Sequence, residues 1–337
     1  MTAYIIRRFL WMVPVMLMVT IVVFGAMKLV PGGPFSQGGR PLSPEIRANF
    51  EAMYHLDEPV WKQYVRYMVG DIVDTGRLRD FGRNGLLGGH LGPSYKYRGR
   101  TINNVLFDGG PIRAAVSVSA QLGTLATIIA VGIGIPLGLI SALKQNTWID
   151  YTSMFFAMLG VSIPNFVLGL ILILVMLWLN QNGLPALPLA RWGTDSFGDW
   201  LSHMILPAFT LGSGGAAIIA RLTRASMLDV IRQDYIRTAR AKGLREGAVI
   251  MSHALKNSLI PVTTVIGPLM AAWLTGSFII ETIFSIPGIG RFFVTSINDR
   301  DYTLIMGTIL VYAVLLVIMN ILVDISYAFL DPRIRYD

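Results

Sequence analysis

The sequence predicts an all-α membrane protein of six transmembrane helices with a long loop after the first, and three observations carry that expectation. The chain is 53% hydrophobic and only 14% charged, against roughly 25% charged in soluble domains, and its mean hydropathy is +0.58. Its apolar residues gather in runs near the roughly 20 residues that cross a hydrocarbon core as helix. Its Lys and Arg residues concentrate between alternate runs, as expected of loops retained on the cytoplasmic side of a membrane. The net charge of +8 follows from that pattern and does not by itself point to nucleic acid. The absence of cysteine excludes disulfides, zinc-thiolate sites and cysteine nucleophiles.

The first span runs from Phe9 to Val30, interrupted by Lys28 near its end, where a long side chain can snorkel. It has no small-residue cleavage site and is too long for a signal peptide's apolar region, so it reads as a retained span. Residues 31–113 form the long loop. Within it "SPEIRANFEAMYHL" predicts a helix with Ser43 as N-cap, Pro44 at the first position and Glu45 at the positive end. Ile46, Phe50, Met53 and Tyr54 share its apolar face. A second helix starts at Pro59 with Trp61, Tyr64 and Met68 on one face, and "FGRNGLLGGHLG" is loop. This region either receives a partner outside the membrane or packs on the bundle as a lid.

Spans two and three, Ala114 to Leu143 and Tyr151 to Leu179, contain no charged residue and form a hairpin through "KQNTWID". Pro136 and Pro164 are expected to kink them. The fourth span, Met204 to Ala220, is short and holds Pro207 and Gly212, Gly214 and Gly215; it is inferred because the fifth, Asn257 to Ile280, requires a crossing before it. The sixth runs from Tyr302 to Val323.

Orientation follows from the short loops. Arg7, Arg8, Lys144, eight Lys and Arg residues between Arg221 and Lys256, and Arg333 with Arg335 collect on one side, which is therefore the cytoplasm, with both termini there. The other side has Arg191, Arg291 and Arg300 in its shorter loops. The 31–113 loop also carries basic residues, but loops beyond about 60 residues translocate largely regardless of charge.

The segment 221–256 is the most informative. Leu228, Ile231, Tyr235 and Ala239 recur at helical spacing on one face, while Arg232, Arg237, Arg240 and Lys242 project elsewhere. Gly243 supplies the left-handed cap that ends this helix. A second short helix runs from Arg245 to about Leu255, with Val249 and Ile250 as apolar contacts, and Pro261 helps start the fifth span. Three uses of this helix, corner and helix stay open on composition: a surface resting on anionic lipid, a solvated loop, or a knob inserted in a partner's groove.

"DYIRTARAKGL" resembles the cytoplasmic signature of the membrane subunits of ATP-binding-cassette importers, E-A-A-x-x-x-G followed by I-x-L-P. Gly243 matches the glycine and Ala239 the second alanine, while Arg237 and Thr238 depart from the pattern and "HALK" (His253 to Lys256) stands in place of I-x-L-P. Such departures resemble the peptide and nickel branch. "YIIRRFL", "MKLVPGGPF", "LGPSYKYRGRTINN", "ALKQNTWIDYT", "ETIFSIPGIGRFFV", "NDRDYTL" and "DPRIRY" are similar, in order, to the first membrane subunits of bacterial oligopeptide permeases.

The resemblance implies a type I importer permease fold in a single domain, 1–337, in a bacterial inner membrane. It also implies a second homologous permease subunit, two ATPase subunits, an external peptide-binding protein and a peptide cargo. Under it the 221–256 loop is the ATPase-coupling segment, with Ala239, Gly243, Leu244, Arg245, Val249, Ile250 and His253 as its candidate residues. No G-x-x-x-x-G-K-[ST] occurs, so this chain has no phosphate-cradling loop of its own. It is expected to be no enzyme and to hold no cofactor, ATP and Mg binding the partner subunits.

Six spans leave too little wall for a peptide-sized channel, so the pathway is expected between two such subunits. Gly267, Ala271, Ala272, Thr275 and Gly276 in and after the fifth span are candidates for its lining, although small residues usually mean close helix packing. Glu281 is either an external gate or an acid held at a helix end. The four histidines lack metal-ligand spacing. Alternatives are import of dipeptide, nickel or glutathione within the same family, and, in another class, a stand-alone secondary transporter. The latter usually shows inverted repeats and mid-membrane ionisable groups, and the apolar runs of spans two, three and five contain no such group.

Overall fold

The computed structural model describes residues 2–29, 44–70, 84–97, 99–108, 114–189, 192–193 and 196–330. These residues are helical apart from turns and one isolated β-bridge between Pro93 and Thr101. The chain divides into two compact units, one of Ser119–Ile286 with Leu315–Asp337, the other of Thr2–Val118 with Pro287–Val314.

In the second unit, α1 (Thr2–Leu29) exposes Leu10, Trp11, Met18 and Val22, an apolar surface suited to lipid. The long loop contributes α2 (Pro44–Met53) and α3 (Val60–Val69) where the proline signals placed them. The expected Ser43 cap and the Ile46 and Phe50 side chains lie outside the described residues. Tyr64 of α3 hydrogen-bonds Thr20 of α1 at 2.8 Å and sets its ring edge against Phe24. Lys28 does more than snorkel, because its ammonium donates to Gln63. Farther along are α12 (Ile289–Asp299) and the start of α13 (Tyr302–Leu330). Buried Asp301 caps α13 by accepting from Leu304 N at 3.2 Å, and it also accepts from Ser94 Oγ and, at 3.3 Å, Lys96 N. One carboxylate thereby ties the 91–97 segment to a helix start.

The first unit is built around α7 (Phe197–Ile231), which packs against α5 (Trp148–Ser162), α6 (Asn165–Gln181), α10 (Ile260–Leu274) and α11 (Phe278–Ile283). The short fourth span proves to be the core of this 35-residue helix. Helix periodicity continues past the charged residues at its C-terminal end, because Arg221 is exposed and Arg224 half-buried while Thr223 and Met227 stay buried. Its small residues admit neighbours at backbone distance. A Cβ on Gly134 or Gly160 would stand 2.7 Å from Ala216 O or 2.5 Å from Ser213 O, so α4 (Ala115–Leu143) and α5 both press on α7.

The prolines divide into two kinds. Pro136 and Pro207 lie inside continuous helices, whereas Pro164 breaks its span, and α5 and α6 meet at 105°. The expected kink is therefore a full break, because the residue before a proline avoids the α region and Ile163 is extended at φ −94°, ψ 121°. The fifth span is also shorter than expected: α10 stops at Leu274, Gly276 takes φ +97°, and α11 restarts after Ser277, whose side chain accepts from Ile280 N. Among the described residues four helices are long and apolar enough to cross a membrane, and two bent pairs, α5 with α6 and Glu246–Ser258 with α10, raise the number to six if each pair is one crossing.

Candidate functional site

At the end of α7 the chain breaks at Arg232 and Gln233, forms α8 (Asp234–Ala241), turns at Gly243 and re-enters a helix, α9 (Glu246–Ser258). The middle of α9, Val249–Leu255, is π-helical. The expected continuous helix from Leu228 to Ala239 is thus two helices. The break resets the helical phase, so the face of α8 turned inward is Ile236 with Ala239, three residues apart, while Tyr235 is exposed.

Ile236, Ala239, Val249 and Ala254 are buried together with Met227 of α7 and Ala142 of α4, and Leu139, Leu228, Val230, Ile231, Ile250 and Leu255 surround them. Burying an Ile or Val side chain contributes about 1.5–3 kcal/mol. Two such anchors, one on each arm of the corner, fix it to the ends of α4 and α7. Above them every residue from Arg240 to Ala248 is exposed. Gly243 adopts φ +77° with no atom within 4 Å of where a Cβ would sit, so the position demands glycine for handedness and not for space. Arg240 crosses the corner to Glu246 with two bonds, Nε to Oε2 at 3.1 Å and Nη2 to Oε1 at 2.7 Å. An exposed pair adds little stability, but a bidentate one restricts geometry. Leu244 and Met251, 43% and 58% exposed, are apolar groups on this outward surface.

The coupling candidates therefore fall into two layers. Ala239, Val249 and, half-buried, Ile250 belong to the seat; Gly243, Leu244 and Arg245 belong to the projecting corner, and His253 is half-buried on α9 beside the seat residue Ala254. Ile236 was missed, because assigning α8 the phase of α7 puts it on the wrong face.

Gly267, Ala271 and Thr275 are buried within the unit, where Gly123 of α4 approaches the end of α10 so closely that a Cβ would lie 2.6 Å from Leu274 N. They serve packing. Gly276 is half-buried at the break after α10. The outward stripe of α10 is Ile260, Thr264, Pro268 and the candidate Ala272, spaced by four. Glu281 is fully buried and accepts from Ser119 Oγ at 2.7 Å and Ser277 N at 3.3 Å; its carboxylate thus caps α11 and binds it to α4.

Another buried acid lies beneath the seat. Asp150 accepts from Arg224 Nε at 2.8 Å and Nη2 at 2.7 Å, from Ser141 Oγ and from Asn146 N at 3.0 Å. The sequence held one signal for it, since Asp150 is the only acid between Asp108 and Asp195. Among the described residues no group of three or more His, Asp or Glu is arranged to hold a metal ion.

Residues 134–336 match the family described as binding-protein-dependent transport system inner membrane component, and residues 1–117 match the N-terminal family of the same membrane components. The chain is 45% identical to the dipeptide transport system permease protein DppB of Bacillus subtilis (strain 168), over 99% of this chain and 98% of that protein. It is 41% and 40% identical to the oligopeptide transport system permease proteins OppB of Salmonella typhimurium (strain LT2) and Escherichia coli (strain K12), each over the full length of both chains.

Proposed function

The chain belongs to the family of binding-protein-dependent transport system inner membrane components, and from that membership we propose that it is the permease subunit of a peptide importer, gripped by a separate ATPase at the corner Arg240–Ala248. The observation that carries the grip is a wholly exposed basic corner standing on a buried apolar seat that joins α4, α7, α8 and α9. A lipid anchor needs an apolar face turned outward, whereas here the main apolar face of α8 is spent on the seat. What remains outside is a rigid knob with two apolar contacts and flanking cations, the form that enters a groove.

The mechanism follows from that geometry. Two ATPase subunits bind ATP and Mg, close on the cytoplasmic side and displace the corner, which carries α7 with it through Ile236 and Val249. The permease alternates between inward-open and outward-open arrangements, and nucleotide supplies the difference in affinity between them. The pathway runs between this chain and a homologous second subunit. On this chain it follows the outward stripe of α10, Thr264, Pro268 and Ala272, and the inward Gly267, Ala271 and Thr275 hold that helix in place. The stripe carries no charge, which suits cargo of varying side chains, so an external binding protein selects the peptide and its length. Relatives named for dipeptides and for oligopeptides match at similar identity, as expected if selection lies elsewhere; we take oligopeptides as the cargo. Both termini are cytoplasmic, residues 31–113 lie outside, and Glu281 acts as a helix clamp on the external side rather than as a gate.

The experiment is to replace Leu244 and Met251 with Asp in the complete transporter. The ATPase subunits should no longer co-purify and uptake should cease, while the permease stays in the membrane. Retention of both the ATPase and uptake would contradict the grip.

A further inference from the structure

The apolar seat accounts for contact between the corner and the ends of α4 and α7, but apolar contact is non-directional and resists sliding poorly. Directly beneath it lies a joint of a different kind. Arg224 is three residues before Met227, and Ser141 immediately precedes Ala142; Met227 and Ala142 are both members of the seat. Asp150 sits in the first turn of α5, and its two oxygens are saturated by Arg224 of α7, Ser141 of α4 and the Asn146 amide of the connecting turn. A single buried carboxylate thus holds three helices and a turn at fixed angles.

Stability alone does not explain this arrangement, since well-packed apolar replacements of buried ion pairs are often as stable or more so. A planar bidentate pair does supply direction. Helix α5 needs it, because it has no side chain in the seat, and its break from α6 at Pro164 leaves it to be oriented from its own N-terminal end.

We propose that Asp150, Arg224 and Ser141 form the joint through which movement of the ATPase-gripped corner turns α5, so that α4, α5 and α7 move as one body; Asp150 and Arg224 are positioning residues for transport. This inference rests on the coupling role of the corner. Severing the joint leaves the corner attached to α7 and the ATPase engaged, but α5 lags, and hydrolysis continues without matched uptake.

The test uses the complete transporter in proteoliposomes with its binding protein. Asp150→Asn keeps the shape of the carboxylate and loses its charge; Arg224→Lys keeps the charge and loses the fork. Each should lower peptide uptake per ATP hydrolysed about tenfold, within the usual span of coupling effects, with hydrolysis retained. The exchange Asp150→Arg with Arg224→Asp should recover part of the ratio. Because the chain lacks cysteine, Trp148→Cys on α5 and Ser252→Cys on α9, both exposed, allow spin labels to report the joint directly. Their separation should stay constant on adding nucleotide in the parent and change in Asp150→Asn. Uptake and hydrolysis falling together in proportion to folded protein, or a label separation equally constant in both, overturns the proposal. Gly243→Val distinguishes the underlying reading: if that variant keeps full coupling, the corner itself is not the lever, whatever Asp150 does.

Discussion

Replacing Ile236 with Ala attacks the seat without touching the exposed corner. Ile236 is fully buried against the ends of α4 and α7, and the change removes three carbon atoms. At about 0.8 kcal/mol each the transfer loss is about 2.4 kcal/mol, and the residual cavity raises it to about 3 kcal/mol, inside the about 2–5 kcal/mol found for such truncations. Driving a two-state permease from 1:99 to 99:1 takes about 5.5 kcal/mol. If the whole loss falls on transmission, about 2.5 kcal/mol remains, roughly a 70-fold shift at 1.36 kcal/mol per decade. About two-fifths of the complexes would then reach the outward arrangement, not nearly all. The assay measures peptide uptake and ATP hydrolysis in one preparation of proteoliposomes holding the complete transporter. Uptake per ATP should fall at least about twofold, whereas Ser252→Ala, at an exposed position of α9, should leave the seat intact and this ratio near the parent's. A ratio for Ile236→Ala equal to that of Ser252→Ala, at equal amounts of folded complex, would refute the reasoning.

Gly243→Asn should be tolerated and Gly243→Val should uncouple, because the position asks for positive φ and offers open space; the backbone penalty for the branched residue is about 1–2 kcal/mol, read as uptake per ATP. Adding a methyl at Gly160 forces a contact with Ser213 O, so Gly160→Ala should destabilise the detergent-solubilised subunit by about 1–3 kcal/mol, seen as a lower thermal midpoint. Asp301→Ala removes a cap and orphans Ser94, and should cost about 2 kcal/mol or more, with faster hydrogen exchange at the start of α13. The Arg66 guanidinium, and then Lys62, hold the Glu58 carboxyl below the usual carboxylate range. Its folded pKa lies under the unfolded one, so its contribution is complete above the ordinary carboxylate pKa and is lost as pH falls through the folded value. Protection of α3 amides, measured as exchange relative to the intrinsic rate at each pH, should therefore fall on acidification in the parent and stay constant over that range in Glu58→Gln.

Much of this was legible in the sequence because apolar length and basic loops are one-dimensional signals. Gly243 was found because a glycine after a basic amphipathic run has few other uses. Helix phase was less legible: Ile236 was hidden by a two-residue break at Arg232 and Gln233 that no proline or glycine marks. Pro164 reads in the sequence only as a kink, since a proline inside a helix and one that ends it differ only in whether the preceding residue is extended. Gly267 and Ala271 show the limit most clearly. A small residue is compatible with a pathway wall and with a tight helix contact, and the sequence does not show that Gly267 and Ala271 are buried within their unit. Asp150 and Arg224 are far apart in sequence, and each alone reads as an ordinary loop charge.

The most direct test of the central claim is photocrosslinking from Leu244 in membranes that hold the complete transporter. The account predicts an adduct with the ATPase subunit whose yield changes between nucleotide-free and ATP-bound states. An adduct with lipid or with the external binding protein alone, unchanged by nucleotide, would contradict it.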